Sequence, residues 1–308
     1  MVAGIIIGSI ALFLLILFFV GLLGIYLYSF YSPHKIQFDD YANLNYPSFL
    51  PYKDKVEKMI NDFKEMPYED LYIESFDKLK LHARYYEVKG SKKIAIMFHG
   101  YRGTVTRDFC AGAPTIMSLG YSVITVDHRA HGESQGHSIT FGVREVKDAV
   151  KWFEFIKNKF GSDYQYALIG ISMGGATVLS ASDKVGDNVK IIADCPYATP
   201  KAILSETLKN IKLSPKFFYP LVNLSSIIFG HTNLNKLSAY DSVKNTNNKI
   251  LIIHGDSDTI VPHHNSYDLY MAYQDKIQYE LFPGADHGVS YMTDEPRYKK
   301  VVSDFLNN

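Results

Sequence analysis

Short apolar runs alternate with amphipathic stretches from about residue 71 to the C-terminus. Eight runs have the length of buried strands: Leu71–Phe76, Leu81–Val88, Lys93–Phe98, Ser122–Val126, Tyr166–Ile169, Val189–Ala193, Lys249–Ile253 and Ile277–Phe282. The first two predict an antiparallel pair across a turn at Asp77-Lys78. Helical patterns separate several later runs, most clearly over Phe141–Phe160. The alternation predicts a mostly parallel sheet covered by helices on both faces.

Two segments depart from this rhythm. Residues 199–245 contain helical patterns but no strand, which predicts a helical cap insertion. Its aromatic clusters at 217–219 and 227–229 are apolar enough to line a pocket or to pack the insertion, and we expect the second use for most of them. Residues 35–70 are predicted to be a linker with an amphipathic helix, because Val56, Ile60 and Phe63 recur at helical spacing. The main domain is therefore expected over 71–308.

The N-terminus has a different character. Residues 1–34 carry no formally charged side chain, and 3–30 are almost wholly apolar. About 20 helical residues cross the ~30 Å hydrocarbon core, so this segment predicts an uncleaved transmembrane anchor. Tyrosines near its end suit a membrane interface; they are Tyr26, Tyr28 and Tyr31. A cleaved signal peptide is the alternative, but it would usually have a basic start, a shorter apolar stretch and a small-residue cleavage site.

Few charges follow the anchor, so the membrane orientation is weakly determined. Lys35 is offset by Asp39 and Asp40, so there is almost no excess of Lys or Arg to which the positive-inside rule can be applied. Both sides remain open, with an extracytoplasmic catalytic domain slightly favoured.

Composition excludes several classes of protein. Lys and Arg total 32, as do Asp and Glu, so the formal net charge is zero and nucleic acid is not an expected partner. The two cysteines, Cys110 and Cys195, are far apart, which argues against a disulfide scaffold. No Cys/His cluster has zinc-like spacing, and neither a metal nor an organic cofactor is expected.

The segment 170–174 reads G-x-S-x-G, with a strand-like run before it and small residues after it. Such a sequence forms a tight strand-to-helix elbow that presents the serine hydroxyl. Glycines flank the turn because a Cβ there would collide with the adjoining strand and helix. Ser172 is therefore the candidate nucleophile.

A serine hydroxyl needs a base and an orienting carboxylate to act as a nucleophile. His287 lies in the loop after the last predicted strand, at the sheet edge that also holds Ser172. Asp256 and Asp258 both follow the seventh strand and compete for the carboxylate role. The order Ser, Asp, His is the one expected of this architecture.

The third predicted strand ends at His99-Gly100, where glycine lets the backbone turn and free its N–H groups. The amides of Tyr101 and Met173 are the candidate oxyanion donors, since preorganised donors stabilise the charge that develops in acyl transfer. His99 is expected to bond loop backbone and to take no part in proton transfer.

Taken together, these motifs resemble those of α/β-hydrolase fold serine hydrolases from roughly residue 70 to the C-terminus. The matching stretches are His99-Gly100, Asp127–Ser134, Gly170–Gly174, His254–Pro262 and Asp286–Gly288. They are most similar to the branch with monoacylglycerol lipase-like, serine aminopeptidase-like and prolyl-oligopeptidase-like hydrolases, including bacterial membrane-bound members.

The resemblance implies an eight-stranded sheet and assigns the acid to the second aspartate of His-Gly-x-x-Asp, which is Asp258. It gives the 127–134 loop a supporting role, through an Arg–Asp pair that braces neighbouring loops. Ala130 stands there where glycine is usual. His131 is a poorer candidate base than His287, which occupies the expected place.

The predicted reaction is acyl transfer to water through an acyl-Ser172 intermediate. The anchor and the aromatic insertion favour a lipophilic acyl ester, and a small-molecule or lipid acyl substrate is the expected partner. A peptidase has little support, because Glu206 is the sole carboxylate between Asp194 and Asp241. An acyltransferase on the same triad and a non-catalytic membrane-tethered interaction protein also stay open.

Overall fold

One eight-stranded sheet runs through the main domain. The computed structural model describes residues 2–33 and 40–308. The strands are β1 (Glu69–Glu74), β2 (Lys80–Tyr86), β3 (Lys93–Phe98), β4 (Ser122–Val126), β5 (Gln165–Ile171), β6 (Val189–Asp194), β7 (Ile250–Gly255) and β8 (Ile277–Phe282). Their order is β1-β2-β4-β3-β5-β6-β7-β8. β2 is antiparallel to β1 and β4, and the other neighbours are parallel. The predicted eight-stranded, mostly parallel sheet is confirmed.

Helices cover both faces of the sheet. In chain order, the α-helices of the described residues are α1 (Val2–Ser29), α2 (Lys53–Lys64), α3 (Val105–Phe109), α4 (Gly112–Ser118), α5 (Glu145–Phe160), α6 (Met173–Ala181), α7 (Pro200–Asn210), α8 (Pro215–Gly230), α9 (Ala239–Asn245), α10 (His264–Ala272), α11 (Ser290–Thr293) and α12 (Glu295–Asn307). Strand residues alternate between the two layers. In β3, Ile94, Ile96 and Phe98 pack with α5, α6, α9 and α10. Ala95 and Met97 pack with α2, α3, α4 and α12.

Helix α1 is long and apolar enough to cross a membrane, a property that a signal sequence can share. An 18-residue window of this helix has a mean hydropathy of 3.0. The helix has 28 residues and extends about 42 Å at 1.5 Å per residue. The last turns differ from the rest, because Leu22, Tyr26 and the following Phe30 are buried against the main domain. The boundary at residue 34, with Lys35 and Asp39, lies outside the described residues.

The described part of the predicted linker packs on the domain. The expected amphipathic helix is α2, which buries Val56, Ile60 and Phe63. The Phe63 ring stacks on Tyr86 of β2 with centroids 4.9 Å apart. Two short 3-10 helices precede α2; they are Ala42–Asn45 and Leu50–Tyr52.

The insertion at 199–245 is helical, as its sequence predicts. It consists of α7, α8, a short 3-10 helix at Leu234–Lys236 and α9. Helix α8 packs on the end of α1, where the Ser225 hydroxyl donates a 2.7 Å hydrogen bond to the Leu22 carbonyl. The rings of Phe229 and Tyr26 lie 5.8 Å apart. The insertion therefore connects α1 to the sheet domain.

A buried arginine braces the 127–134 loop. The Arg129 guanidinium donates to Asp148 of α5 at 2.6 and 2.8 Å and to Asp77 of the β1–β2 turn at 2.9 and 3.1 Å. The arrangement agrees with the predicted Arg–Asp brace. Ala130, next in the chain, has a φ of +61°, which is the conformation glycine adopts without strain.

Replacing Arg129 should destabilise the fold. Arg129→Met leaves the buried Asp148 without its counter-charge and takes the nearer of two arginines from Asp77, so we expect the free energy of unfolding to fall by about 3–5 kcal/mol. Urea unfolding of the detergent-solubilised full chain, followed by circular dichroism, measures this change. Arg144→Met is the matched control, because Arg144 lies 3.8 Å from Asp77 and is more exposed. Equal losses in the two variants would contradict the brace.

Candidate active site

A strained elbow joins β5 to α6. Ser172 has φ +53° and ψ −112°, outside the regions that ordinary residues favour. A Cβ on Gly174 would lie 1.8 Å from the Phe98 carbonyl oxygen, and one on Gly170 would lie 2.2 Å from the Gly174 backbone. The Ser172 amide donates to the Asp194 carbonyl at 2.8 Å. Backbone crowding therefore explains both glycines and holds the serine in its unusual conformation.

Three loops bring Ser172, His287 and Asp258 together. The Ser172 Oγ lies 3.0 Å from His287 Nε2, and His287 Nδ1 lies 2.8 Å from Asp258 Oδ2. A carboxylate only accepts hydrogen bonds, so the ring proton belongs on Nδ1 and leaves Nε2 free to accept from the serine. The arrangement can transfer the serine proton to the imidazole.

The surroundings favour Asp258 over Asp256 as the partner of His287. The Asp258 Oδ1 accepts from the amides of Ile260 and Val261 at 2.9 and 2.7 Å. Asp258 is buried. Asp256 is exposed and accepts instead from the Gly284 amide at 2.7 Å. Of the two aspartates that the sequence left in competition, Asp258 is the one that contacts the imidazole.

Burial and neighbouring charges shift the pKa values of Asp258 and His287 in opposite directions. Burial disfavours the Asp258 carboxylate, but His287 and His254 outweigh it and lower its pKa below the usual range. Burial likewise disfavours protonated His287, and the attraction of Asp258 outweighs it and raises the imidazole pKa. Cys195 Sγ lies 3.9 Å from His287 Nε2, but burial raises the thiol pKa to about 11. The thiol is therefore neutral near pH 7, and we attribute the raised pKa of His287 to Asp258.

The loop after β3 lies beside Ser172. A Cβ on Gly100 would be 3.5 Å from the Ser172 Cβ. The Gly100 amide donates to Asp108 at 2.8 Å and the Arg102 amide to His131 at 3.1 Å. Within the described part of the chain, the amides of Tyr101 and Met173 have no acceptor. These are the two amides that the sequence predicts as candidate oxyanion donors.

Two histidines position this loop through backbone contacts. His99 Nδ1 lies 2.8 Å from the Gly100 carbonyl, and its Nε2 accepts from the His128 amide at 3.1 Å. His131 Nε2 accepts from Arg102, and burial lowers the His131 pKa to about 3. Both rings hold backbone groups, which fits the expectation that neither is the base.

The same loop also binds the end of α1. The Tyr101 hydroxyl donates to the Ser29 carbonyl at 2.9 Å, and Arg102 donates to the Tyr28 carbonyl at 2.7 Å. These carbonyls have no partners inside the helix, because they belong to its last turn. No local pattern in the sequence indicates this contact, which joins segments more than 70 residues apart.

A cavity of about 860 Å³ opens at Ser172 and His287. Its apolar and aromatic lining comes from the segment before and within α2 and from the α11 region; examples are Tyr46, Phe49, Val56 and Met292. No lining residue belongs to 199–245 within the described chain. The insertion's aromatic clusters therefore do not line this cavity, and the predicted linker supplies part of its wall.

Sequence reasoning did not select Asp194 and Tyr298, which also line the cavity. The Tyr298 hydroxyl donates to Asp194 Oδ2 at 2.9 Å, while Oδ1 is buried without a partner in the described residues. Burial raises the Asp194 pKa to about 6. Its position at the end of β6, the strand next to the one that leads to Ser172, is the signal that could have identified it.

One group of described residues has the composition of a metal site: Cys195, Asp258 and His287, whose donor atoms lie within 4.8 Å of one another. Asp258 contacts Nδ1 of the ring, whereas Cys195 approaches Nε2. One ion cannot reach both nitrogens of an imidazole, so the three side chains do not converge on a single metal position.

Comparisons with known proteins agree with this architecture. The family model of the α/β hydrolase fold matches residues 96–225. The uncharacterized protein YqkD of Bacillus subtilis is 27% identical over 195 residues, which cover 62% of this chain and 64% of YqkD. The lysophosphatidylserine lipase ABHD12 of Danio rerio is 27% identical over 254 residues, covering 73% of this chain and 61% of that protein. The chain therefore spans less than two thirds of either relative.

Solved structures show the same fold. The Pyrococcus furiosus esterase Pf2001 aligns with a TM-score of 0.64 and 21% identity, covering 80% of this chain and 92% of the esterase. The family match and the relatives support the superfamily that the sequence predicts. The predicted fold is confirmed, while the particular branch stays a prediction.

The two aspartates should respond differently to substitution. Asp258→Asn keeps the size of the side chain but removes the charge that orients His287, so p-nitrophenyl acetate turnover should fall by about 10³- to 10⁴-fold. Asp256→Asn is the matched control and should stay near wild type, because its carboxylate bonds the Gly284 amide. Similar losses in the two variants would exclude Asp258 as the specific partner.

Proposed function

We propose that the protein is a membrane-anchored serine hydrolase that cleaves a lipophilic acyl ester. The observation that carries the proposal is the continuous hydrogen-bonded series from Ser172 through His287 to Asp258. The amides of Tyr101 and Met173 beside the serine, which have no acceptor among the described residues, support it, since acyl transfer needs donors aimed at the developing oxyanion.

In the proposed mechanism, His287 Nε2 takes the Ser172 proton as Oγ attacks the ester carbonyl. The amides of Tyr101 and Met173 donate to the resulting oxyanion. Protonated His287, oriented by Asp258, gives its proton to the leaving alcohol, and acyl-Ser172 forms. Water then attacks the acyl group with His287 again as base, which releases the acid and restores the serine.

Three observations favour a lipophilic substrate. The cavity at Ser172 is large and mainly apolar, with walls that include Phe49, Val56 and Met292. Helix α1 would hold this cavity next to a membrane. ABHD12, a relative at 27% identity, is named for hydrolysis of lysophosphatidylserine, a lipid with one acyl chain. We therefore propose that the acyl chain of the substrate occupies the cavity.

One observation keeps a peptidase as the second candidate. The Asp194 carboxylate lies in the cavity wall with Oδ1 unpaired among the described residues, and an aminopeptidase needs an acidic group for the substrate's α-ammonium. Glu206, the carboxylate considered from sequence, is paired with Lys209 at 2.8 Å and does not line the cavity.

The packing of the α1 end supports an uncleaved anchor. Leu22 and Tyr26 are buried, and Ser225 and Tyr101 hydrogen-bond the carbonyls of Leu22 and Ser29. Beyond the helix, the Ile139 amide donates to the Phe30 carbonyl at 2.8 Å. Cleavage after these residues would remove part of the core and leave hydrogen-bonding groups unpaired, which argues against a signal peptide.

A fluorophosphonate probe should label the full-length protein at Ser172. The probe reacts with serines that an adjacent base activates, so Ser172→Ala should abolish labelling while the circular dichroism spectrum is unchanged. Ser290→Ala is a control at another buried serine and should label normally. Labelling that survives Ser172→Ala would refute the assigned nucleophile.

The same preparations can distinguish the substrate classes. Wild-type protein should hydrolyse p-nitrophenyl esters with kcat/KM rising from acetate to medium-chain acyl groups, because longer chains bury more apolar surface in the cavity. Aminoacyl arylamides should be poor substrates. Preference for the arylamides would replace the esterase proposal with the peptidase.

The pH profile should report the raised pKa of His287. The imidazole acts as a base only when neutral, so kcat/KM should climb as pH rises through a pKa above 6.5. In Asp258→Asn, the carboxylate no longer counteracts the effect of burial on the His287 pKa, so the remaining kcat/KM should climb at a lower pH than in wild type. In Asp256→Asn, kcat/KM should climb at the wild-type pH. A wild-type profile already flat at pH 6 would contradict this assignment.

A further inference from the structure

Helix α8 has an outward face without charge. From residue 217 to 230 the helix has no charged side chain, and Phe217 is 70% exposed. Ile211, before the helix, and Ile227, near its end, are also exposed. A helix that faces water ordinarily carries polar residues on its outer side. The exposed apolar residues at the start of the helix, Phe217 and Phe218, together with Ile211 just before it, are here called the α8 face. They are atypical of a water-facing helix.

The direction of α8 places this face alongside the anchor. Ser225 contacts Leu22, and four residues later Phe229 contacts Tyr26, four residues further along α1. The two helices thus run in the same direction where they touch. Phe217 precedes Ser225 by eight residues, about 12 Å at 1.5 Å per residue. It therefore lies towards the N-terminal part of α1.

That part of α1 is apolar and exposed in the structure. All its residues from Val2 to Gly21 are exposed, and the shared direction of the two helices turns the start of α8 towards them. Lys212 and Lys216 flank the turn between α7 and α8 and are also exposed. Apolar residues bordered by lysines are the composition of surfaces that enter the headgroup–acyl boundary, where lysines reach the phosphates.

We infer that the α8 face inserts into the leaflet next to α1, as a second membrane contact of the catalytic domain. The inference rests on the proposed anchor. Lipid is the occupant because α1 carries α8 to the bilayer surface, and the apolar face begins where the anchor enters the domain. The loop of Tyr101 and Arg102 binds the same end of α1, so the two contacts would fix the cavity relative to the lipid from which an acyl ester is taken.

Site-specific fluorescence in proteoliposomes tests the inference. The native cysteines, Cys110 and Cys195, are buried, so a single introduced cysteine can carry an NBD label on the full chain. Phe217→Cys tests the α8 face, Phe13→Cys tests the anchor, and Met271→Cys on α10 is the water-exposed control. Each protein must keep fluorophosphonate labelling, and quenching is compared between nitroxide-labelled acyl chains and aqueous iodide.

The expected result is that the labels at 13 and 217 are quenched several times more strongly by the lipid nitroxide than the label at 271, and less by iodide. A label at 217 that behaves like the label at 271, while 13 stays in lipid, would overturn the inference and leave the anchor intact. Protection at 217 from both quenchers would also overturn it, in favour of a second protein copy. Iodide access at 13 would refute the anchor itself.

Discussion

The close approach of α6 to the ends of β3 and β5 is the constraint on which the rest of the site depends. Gly174 passes so near the Phe98 carbonyl that no side chain fits between them. This approach forces Ser172 into a positive φ and turns its hydroxyl towards the loop after β8. The Gly100 loop also lies against Ser172, so the candidate nucleophile and the candidate oxyanion donors share one geometric origin.

The support around this elbow extends to the apolar N-terminal helix α1. His131 and Asp108 bind the amides on either side of Tyr101, and the Tyr101 and Arg102 side chains bind the last carbonyls of α1. Helix α1 is consequently a structural neighbour of the loop that lies beside Ser172. Under the proposed anchoring by α1, such packing would fix the cavity relative to the membrane surface.

Much of the fold and part of the site could be predicted because their signals are local. Strand length, the alternation of strands and helices, and the elbow glycines can each be identified within a short stretch of sequence. The predicted boundaries of β3, β4 and β8 agree with the structure. The local sequence could not show whether Asp256 or Asp258 contacts the histidine, since both follow the same strand. Packing separates them: one carboxylate is buried against His287, and the other is exposed beside Gly284.

By itself, the sequence determined the order of strands and helices, the apolar N-terminal helix, and the loops that hold Ser172, His287 and the two aspartates. Periodicity and turn chemistry act over short distances, so a single chain displays them directly. The tertiary structure alone decided which walls form the cavity, where Asp194 lies and how α8 meets α1. Those contacts join residues that are distant in sequence, and their energy comes from shape and burial in three dimensions.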